Sequence, residues 1–159
     1  GIRRKKVYGA ANEGPAWQHS TEYHVMWRVA FEPGEVKVVA RKDGKQVGEQ
    51  TVRTAGAPHH IVLKKTYQGT LAFGASEPTT FVEVQVVDKD GNLCPNADNQ
   101  IFFSSDAKIL GTDNGCQTSL ERFTDPHRKA FFGKCVVVLK GKGTLTAKAV
   151  DLEQAQIQL

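Results

Sequence analysis

The chain has 159 residues, 40% of them hydrophobic, and a formal net charge of +4. That is enough apolar material for one ordinary domain or two small ones. No run approaches the roughly 18 apolar residues that a membrane-spanning helix needs, so no membrane partner is expected.

The positive excess sits in the first third. Residues 1–58 carry 10 Lys/Arg against 6 Asp/Glu, and residues 59–159 carry 11 of each. Four of the early charges form the run Arg3–Lys6. A basic run of this kind can meet nucleic acid, but aromatic interleaving and any recognisable nucleic-acid motif are missing, so it reads as a solvated strand end. The chain starts without Met, and we expect a fragment of a longer protein.

In chain order, residues 7–21 are rich in Gly, Ala and polar types and show no period, which predicts a loop. From Glu22 a period of two begins: Val25, Trp27, Val29 and Phe31 share one face, with Met26, Arg28 and Glu32 on the other. Trp27 is therefore expected in a core. Glu32-Pro33-Gly34-Glu35 fits a tight turn, and Val36, Val38 and Ala40 continue in a strand. Lys42-Asp43-Gly44-Lys45 is a hairpin signal, with residues 46–54 returning. Three antiparallel strands are too few to enclose a core alone.

Ala55-Gly56-Ala57-Pro58 interrupts any ladder and marks the expected domain boundary. Residues 59–65 restart a strand through Ile61, Val62 and Leu63. In the stretch 81–103, Val82, Val84 and Val86 alternate with Glu83 and Gln85, Asp88–Asn92 supplies turn residues, and Ile101–Phe103 begins another strand. This predicts strand, turn, strand. Ile109 and Leu110 form a short apolar patch. Residues 112–134 look long and irregular, and Phe123, Phe131 and Phe132 are the apolar groups expected to pin them. Residues 135–139 and 144–150 read as closing strands joined through Lys140-Gly141-Lys142-Gly143. No segment carries a helical period of ten or more residues. The fold class is all-β: an immunoglobulin-like β-sandwich over residues 58–159, preceded over 1–57 by a partial second β-sandwich lacking its leading strands.

Catalytic and metal motifs are thin. Asn12-Glu13 matches the dipeptide before the acid/base of many retaining glycosidases, but that chemistry needs a second carboxylate about 5 Å away and a supporting strand that this Gly/Ala-rich context does not offer. Asp88-Lys89-Asp90-Gly91-Asn92 resembles the start of a calcium loop, yet its sixth position is Leu93 and its twelfth Asn99, not Gly and Glu. His59 and His60 point to opposite faces of a strand and are not expected to share a metal. The odd set Cys94, Cys116 and Cys135 has no CxxC spacing, which argues against a zinc site or a disulfide framework. No catalytic residue, cofactor or metal is assigned. The sugar-contact candidates are Trp17, able to stack on a ring, and Asp113, Asn114 and Arg128 in the polar loop.

Residues 23–58 (YHVMWRVAFEPGEVKVVARKDGKQVGEQTVRTAGAP), 82–103 (VEVQVVDKDGNLCPNADNQIFF), 110–115 (LGTDNG) and 128–139 (RKAFFGKCVVVL) carry a family likeness. In that order they resemble the C-terminal region of bacterial glycoside hydrolase family 2 enzymes of the β-galactosidase type. The resemblance implies β-sandwich domains behind a catalytic barrel, a parent that acts on β-glycosides, and a periplasmic or secreted location. It also implies that the acid/base and nucleophile glutamates belong to that barrel; no position here matches their motifs, so none is carried over. Three roles compete: a non-catalytic accessory region whose partners are the parent's other domains, a carbohydrate-binding module, and an immunoglobulin-like module working by protein contact. No nucleic-acid partner is expected.

Overall fold

The computed structural model describes residues 17–20, 25–28, 30–70 and 76–159, the first two segments through their backbone pairing. The basic run 3–6 and Asn12-Glu13 lie outside the described residues. Two compact units divide the chain, residues 1–53 and 54–159. No helix occurs among the described residues, and the chain is all-β.

In the first unit β1 (Trp17–Ser20) pairs antiparallel with β2 (Val25–Arg28). This corrects the loop expected over residues 7–21, where WQHS has too short an apolar pattern to announce a strand. β3 (Glu35–Lys42) and β4 (Lys45–Arg53) form a hairpin. Its turn residues Asp43 and Gly44 take φ of 50° and 77°, the left-handed pair that a two-residue hairpin turn requires. Lys37 pairs with Glu49 at 2.6 Å and Arg53 with Glu35 at 2.7 Å across it. The inward face expected for Phe31 does not form, because Phe31 is 80% exposed. Val36, Val47 and Val52 are also exposed. Among the described residues the β3–β4 ladder has no further strand bonded to it, and a two-stranded ribbon is too small to enclose a core. The side chains of Trp27, Val25 and Val29 lie outside the described residues.

The second unit is a sandwich of two four-stranded antiparallel sheets. One has the order β5 (His60–Gly69), β6 (Thr79–Val87), β10 (Lys134–Lys140), β8 (Lys108–Asp113). The other has the order β12 (Ala155–Gln158), β11 (Thr144–Lys148), β7 (Gln100–Ser105), β9 (His127–Lys129). Val82, Val84, Val86, Val137 and Leu139 from the first sheet meet Ile101, Phe103, Leu145 and Ala147 from the second in one core. Period-two alternation puts these residues inward and Glu83, Gln85 and Thr146 outward. At about 25 cal/mol per Å² of buried apolar surface, this interface is the main source of stability. Ala55 packs on this core and Gly56 N donates to Asp88 Oδ2 at 2.8 Å.

The stretch 81–103 departs from a simple hairpin. Asp88–Asn92 does turn the chain, and Val87 bridges Leu93 while Cys94 N donates to the Val86 carbonyl at 3.0 Å. The return stops there. Pro95 has no N–H with which to extend the ladder, and the chain crosses to the other sheet, so β6 and β7 face each other through the core. The segment 140–143 likewise joins opposite sheets. Strand β12 was missed by the sequence reading, although Ala155, Ile157 and Leu159 alternate with Gln156 and Gln158. It pairs with β11, and beside it the Glu153 carbonyl accepts from Ile61 N at 3.1 Å, tying β5 to the second sheet.

Candidate ligand-facing cleft

Strand β9 lies inside the segment read as irregular. It pairs with β7 through Gln100↔Lys129, Ile101↔Arg128 and Phe102↔His127. That register sends Arg128 inward and leaves Lys129 outward. A buried guanidinium is costly unless its donors are met, and here they are. Nη2 donates to the carbonyls of Thr112 at 2.7 Å and Arg122 at 2.9 Å. Nη1 donates to the Glu121 carbonyl at 3.2 Å, and Nε to Thr112 Oγ1 at 3.3 Å.

This overturns the expectation that phenylalanines pin the loop. Phe123 and Phe132 are each 65% exposed, whereas Arg128 is 1% exposed. The Phe123 side chain contributes the face of its ring, 5.4 Å from the guanidinium carbon. Arg128 is thus a buried group whose donors end on three backbone carbonyls and the Thr112 hydroxyl.

Glu121 works from the same loop. Its carboxylate accepts from Gln100 Nε2 at 2.9 Å and from Lys129 N at 3.1 Å. Partial burial works against its charge, but the hydrogen bonds from Gln100 and Lys129 N and the field of Arg128 hold the carboxyl below its ordinary range. Asp113 and Asn114 shape the turn before it. Asp113 Oδ1 accepts from Asn114 N at 2.7 Å and Gly115 N at 3.1 Å, while Asn114 Nδ2 donates to the Lys129 carbonyl at 2.8 Å.

Above these groups lies an open cleft of about 400 Å³, walled by Asp98, Gln100, Asn114, Glu121, Lys129 and Phe131. A smaller recess of about 220 Å³ is lined by Asp113, Asn114, Glu83 and Lys134, so Asn114 borders both. Of the sequence candidates, Asp113 and Asn114 therefore sit at clefts and Arg128 lies beneath. Trp17 belongs to the other unit, and its side chain lies outside the described residues. Sequence reasoning missed Asp98, Gln100, Glu121 and Lys129 as a group, because three separate segments supply them. It took Phe131 and Phe132 for buried anchors. The available signal was the FFG tripeptide, which places two rings beside a turn glycine.

That tripeptide is the tip between β9 and β10. Phe131 N donates to the Lys134 carbonyl at 2.8 Å, and Lys134 N to that of Phe131 at 3.1 Å. Phe132 and Gly133 take φ of 49° and 74°. A Cβ on Gly133 would stand 2.3 Å from the Cys94 carbonyl oxygen, so only glycine fits. Gly133 N donates to Ala97 O at 3.0 Å and its carbonyl accepts from Val86 N at 2.8 Å, which locks the tip to the sandwich.

The other sequence motifs resolve into structure. The Asp88 carboxylate accepts from the backbone N–H groups of Gly56, Asp90 and Asn92. These bonds, Gly56's foremost, lower its carboxyl to about 2. The expectation that His59 and His60 diverge is corrected: their Nδ1 atoms are 3.2 Å apart. His59 precedes β5 and so escapes the strand's alternation. No cluster of three or more His, Cys, Asp or Glu suited to a metal occurs among the described residues. All three cysteines are free thiols. Burial pushes Cys135 up to about 12, while Cys116, beside the cleft, is lowered by hydrogen bonding with Thr118.

The geometry defines a β-sandwich domain whose ionised side chains near the cleft mostly brace loops. Comparison with known proteins gives its family. The family model "Glycoside hydrolase family 2 C-terminal domain 5" matches residues 63–158, and a model described as a domain of unknown function matches residues 3–48. The chain belongs to the glycoside hydrolase family 2 C-terminal domain 5 family. It is 46% identical over 143 residues to the β-galactosidase BoGH2A of Bacteroides ovatus, covering 86% of this chain and 17% of that protein. A β-glycosidase from Bacteroides vulgatus superposes with a TM-score of 0.76 at 32% identity, over 86% of this chain and 18% of that one. A glycosyl hydrolase family 2 member from Bacteroides cellulosilyticus gives a TM-score of 0.72 at 26% identity, over 85% and 19%. The chain thus spans less than a fifth of the length of these relatives.

Proposed function

We propose that this chain is a non-catalytic, structural accessory region of a larger β-galactosidase-like hydrolase acting on β-glycosides, and that its working partners are the other domains of that enzyme. One observation carries the reading. The carboxylates held in the sandwich, Asp88, Glu83 and Glu121, are each tied to backbone N–H, amide or cationic groups, and each is shifted down. Glycoside cleavage needs the opposite in at least one partner, an acid whose pKa is raised. The same reading treats residues 1–57 as a partial β-sandwich domain and residues 58–159 as an immunoglobulin-like β-sandwich domain. It draws support from the change of partners between β4, bonded to β3, and β5, bonded to β6.

The test is direct. The purified chain is expected to leave a nitrophenyl β-galactoside intact. Turnover that disappears in Glu13→Gln or Glu121→Gln would overturn the accessory role. A second reading, carbohydrate binding, is favoured by one feature: Asn114 and Phe131 share a polar cleft.

A further inference from the structure

We propose that the cleft beside the Phe131–Phe132 turn is a saccharide-binding site, taking one or two rings of a neutral glycan. Phe131 supplies the stacking face, and Asp98 and Lys129 supply hydroxyl-binding groups. The proposal rests on the accessory reading only in taking glycans as the parent's substrate class.

Phe132 stands at φ 49°, a left-handed conformation in which a bulky residue is an outlier and Asn or Gly would be at ease. The ring does not offset this strain by burial, since it is 65% exposed. Backbone bonds and Gly133 already fasten the tip to the sandwich, so the fold does not need an aromatic there. What the ring does is pack on Phe131, with centroids 4.4 Å apart and planes inclined by 56°. Strain held at one residue to brace another points to a site. The braced ring, Phe131, forms part of the cleft wall.

Asp98 and Lys129 share the wall with Phe131. Asp98 Oδ2 and Lys129 Nζ pair at 2.7 Å, yet their side chains are 74% and 53% exposed. A carboxylate and an ammonium with their heads in water can exchange some of that pairing for vicinal hydroxyls, one accepting and the other donating. Behind them Gln100, Glu121 and Asn114 are held by hydrogen bonds to each other's segments, so little ordering is left for a ligand to supply. A volume of about 400 Å³ lies in the range of small-molecule sites. A protein partner would instead favour a flatter, more apolar patch. An apolar ring face flanked by paired polar groups in a concave site matches a sugar, with its C–H face and its rim of hydroxyls.

The experiment uses the full 159-residue chain and three disaccharide probes: lactose, cellobiose and xylobiose. Backbone amide NMR titration reads the site. Saturable shifts at residues 98–100, 114–121 and 129–132 with at least one probe are expected. Phe131→Ala and Asp98→Ala should each weaken that binding at least tenfold, with Phe132→Asn intermediate. Should Phe131→Ala fail to fold, Asp98→Ala carries the test from an exposed position. No saturable shift with any probe overturns the proposal, and so does binding that both variants leave unchanged. Self-association lost in Phe131→Ala, without any sugar response, would also overturn it, in favour of a protein contact. Hydrolysis of a nitrophenyl galactoside would sink the accessory reading alone. Loss of the titration would sink the cleft alone.

Discussion

Arg128 donates from Nη2 to the carbonyl of Thr112 at 2.7 Å, joining β9, at the edge of one sheet, to β8, at the edge of the other. At the opposite edges Ile61 N donates to Glu153 O, linking β5 to the segment leading into β12. Both margins of the sandwich are therefore tied by hydrogen bonds. On the Arg128 side a side chain does it, because the segment between β8 and β9 is too irregular to extend a ladder.

Replacing Arg128 by Met should destabilise the second unit by about 3 kcal/mol or more, since removing a buried charged donor orphans several acceptors. Those acceptors are the carbonyls of Thr112, Glu121 and Arg122. Phe123→Ala should cost no more than about 1 kcal/mol, the scale of a partly exposed cation–π contact. Denaturant melts of the two variants decide the order. Equal losses would return the phenylalanines to the pinning role.

Acid should loosen the Asp88 turn in a defined window. The folded carboxyl is lowered to about 2 from 3.8, first by the Gly56 N–H and then by Asn92. The unfolded chain therefore binds more protons between these values, and the stabilisation is full above about pH 4 and lost as pH falls through about 2. Asp88→Asn should flatten that part of the profile. Melting temperatures at pH 6, 4, 3 and 2 for both proteins measure it. Parallel curves would exclude Asp88 as the source.

Neighbouring residues at the β9–β10 tip should respond with opposite signs. Phe132→Asn should stabilise by about 1 kcal/mol, because Asn tolerates φ > 0 where Phe is strained. Gly133→Ala should destabilise by about 2 kcal/mol or more, since its Cβ would collide with the Cys94 carbonyl at a positive φ. Thermal melting reads both. A destabilised Phe132→Asn would mean that the ring contributes more by packing than it loses to strain.

Thr80 is fully buried on β6 and its hydroxyl has no hydrogen-bond partner among the described residues. Thr80→Val keeps the shape and removes an unsatisfied polar atom, so stability should rise by about 1 kcal/mol. A fall in the denaturation midpoint would mean that the hydroxyl is satisfied by water.

What the sequence by itself determined is local. The alternation of Val82, Val84 and Val86, or of Leu145 and Ala147, names strands and their inward faces, because side-chain direction flips at every residue. Asp43-Gly44 names its turn, because few residues take φ > 0. The order of its blocks also carried the family. What only the tertiary structure decided is which strands share a sheet and which polar groups meet. β6 and β7 read as strand, turn, strand in sequence, but Pro95 ends the ladder, and the β6 valines meet Ile101 and Phe103 across the core. Arg128 read as a loop contact because nothing in HRK reveals that β7 will pair with it and turn the guanidinium inward. The cleft gathers Asp98, Gln100, Asn114, Glu121, Lys129 and Phe131 from separate segments, and their convergence depends on that pairing, which no local pattern records.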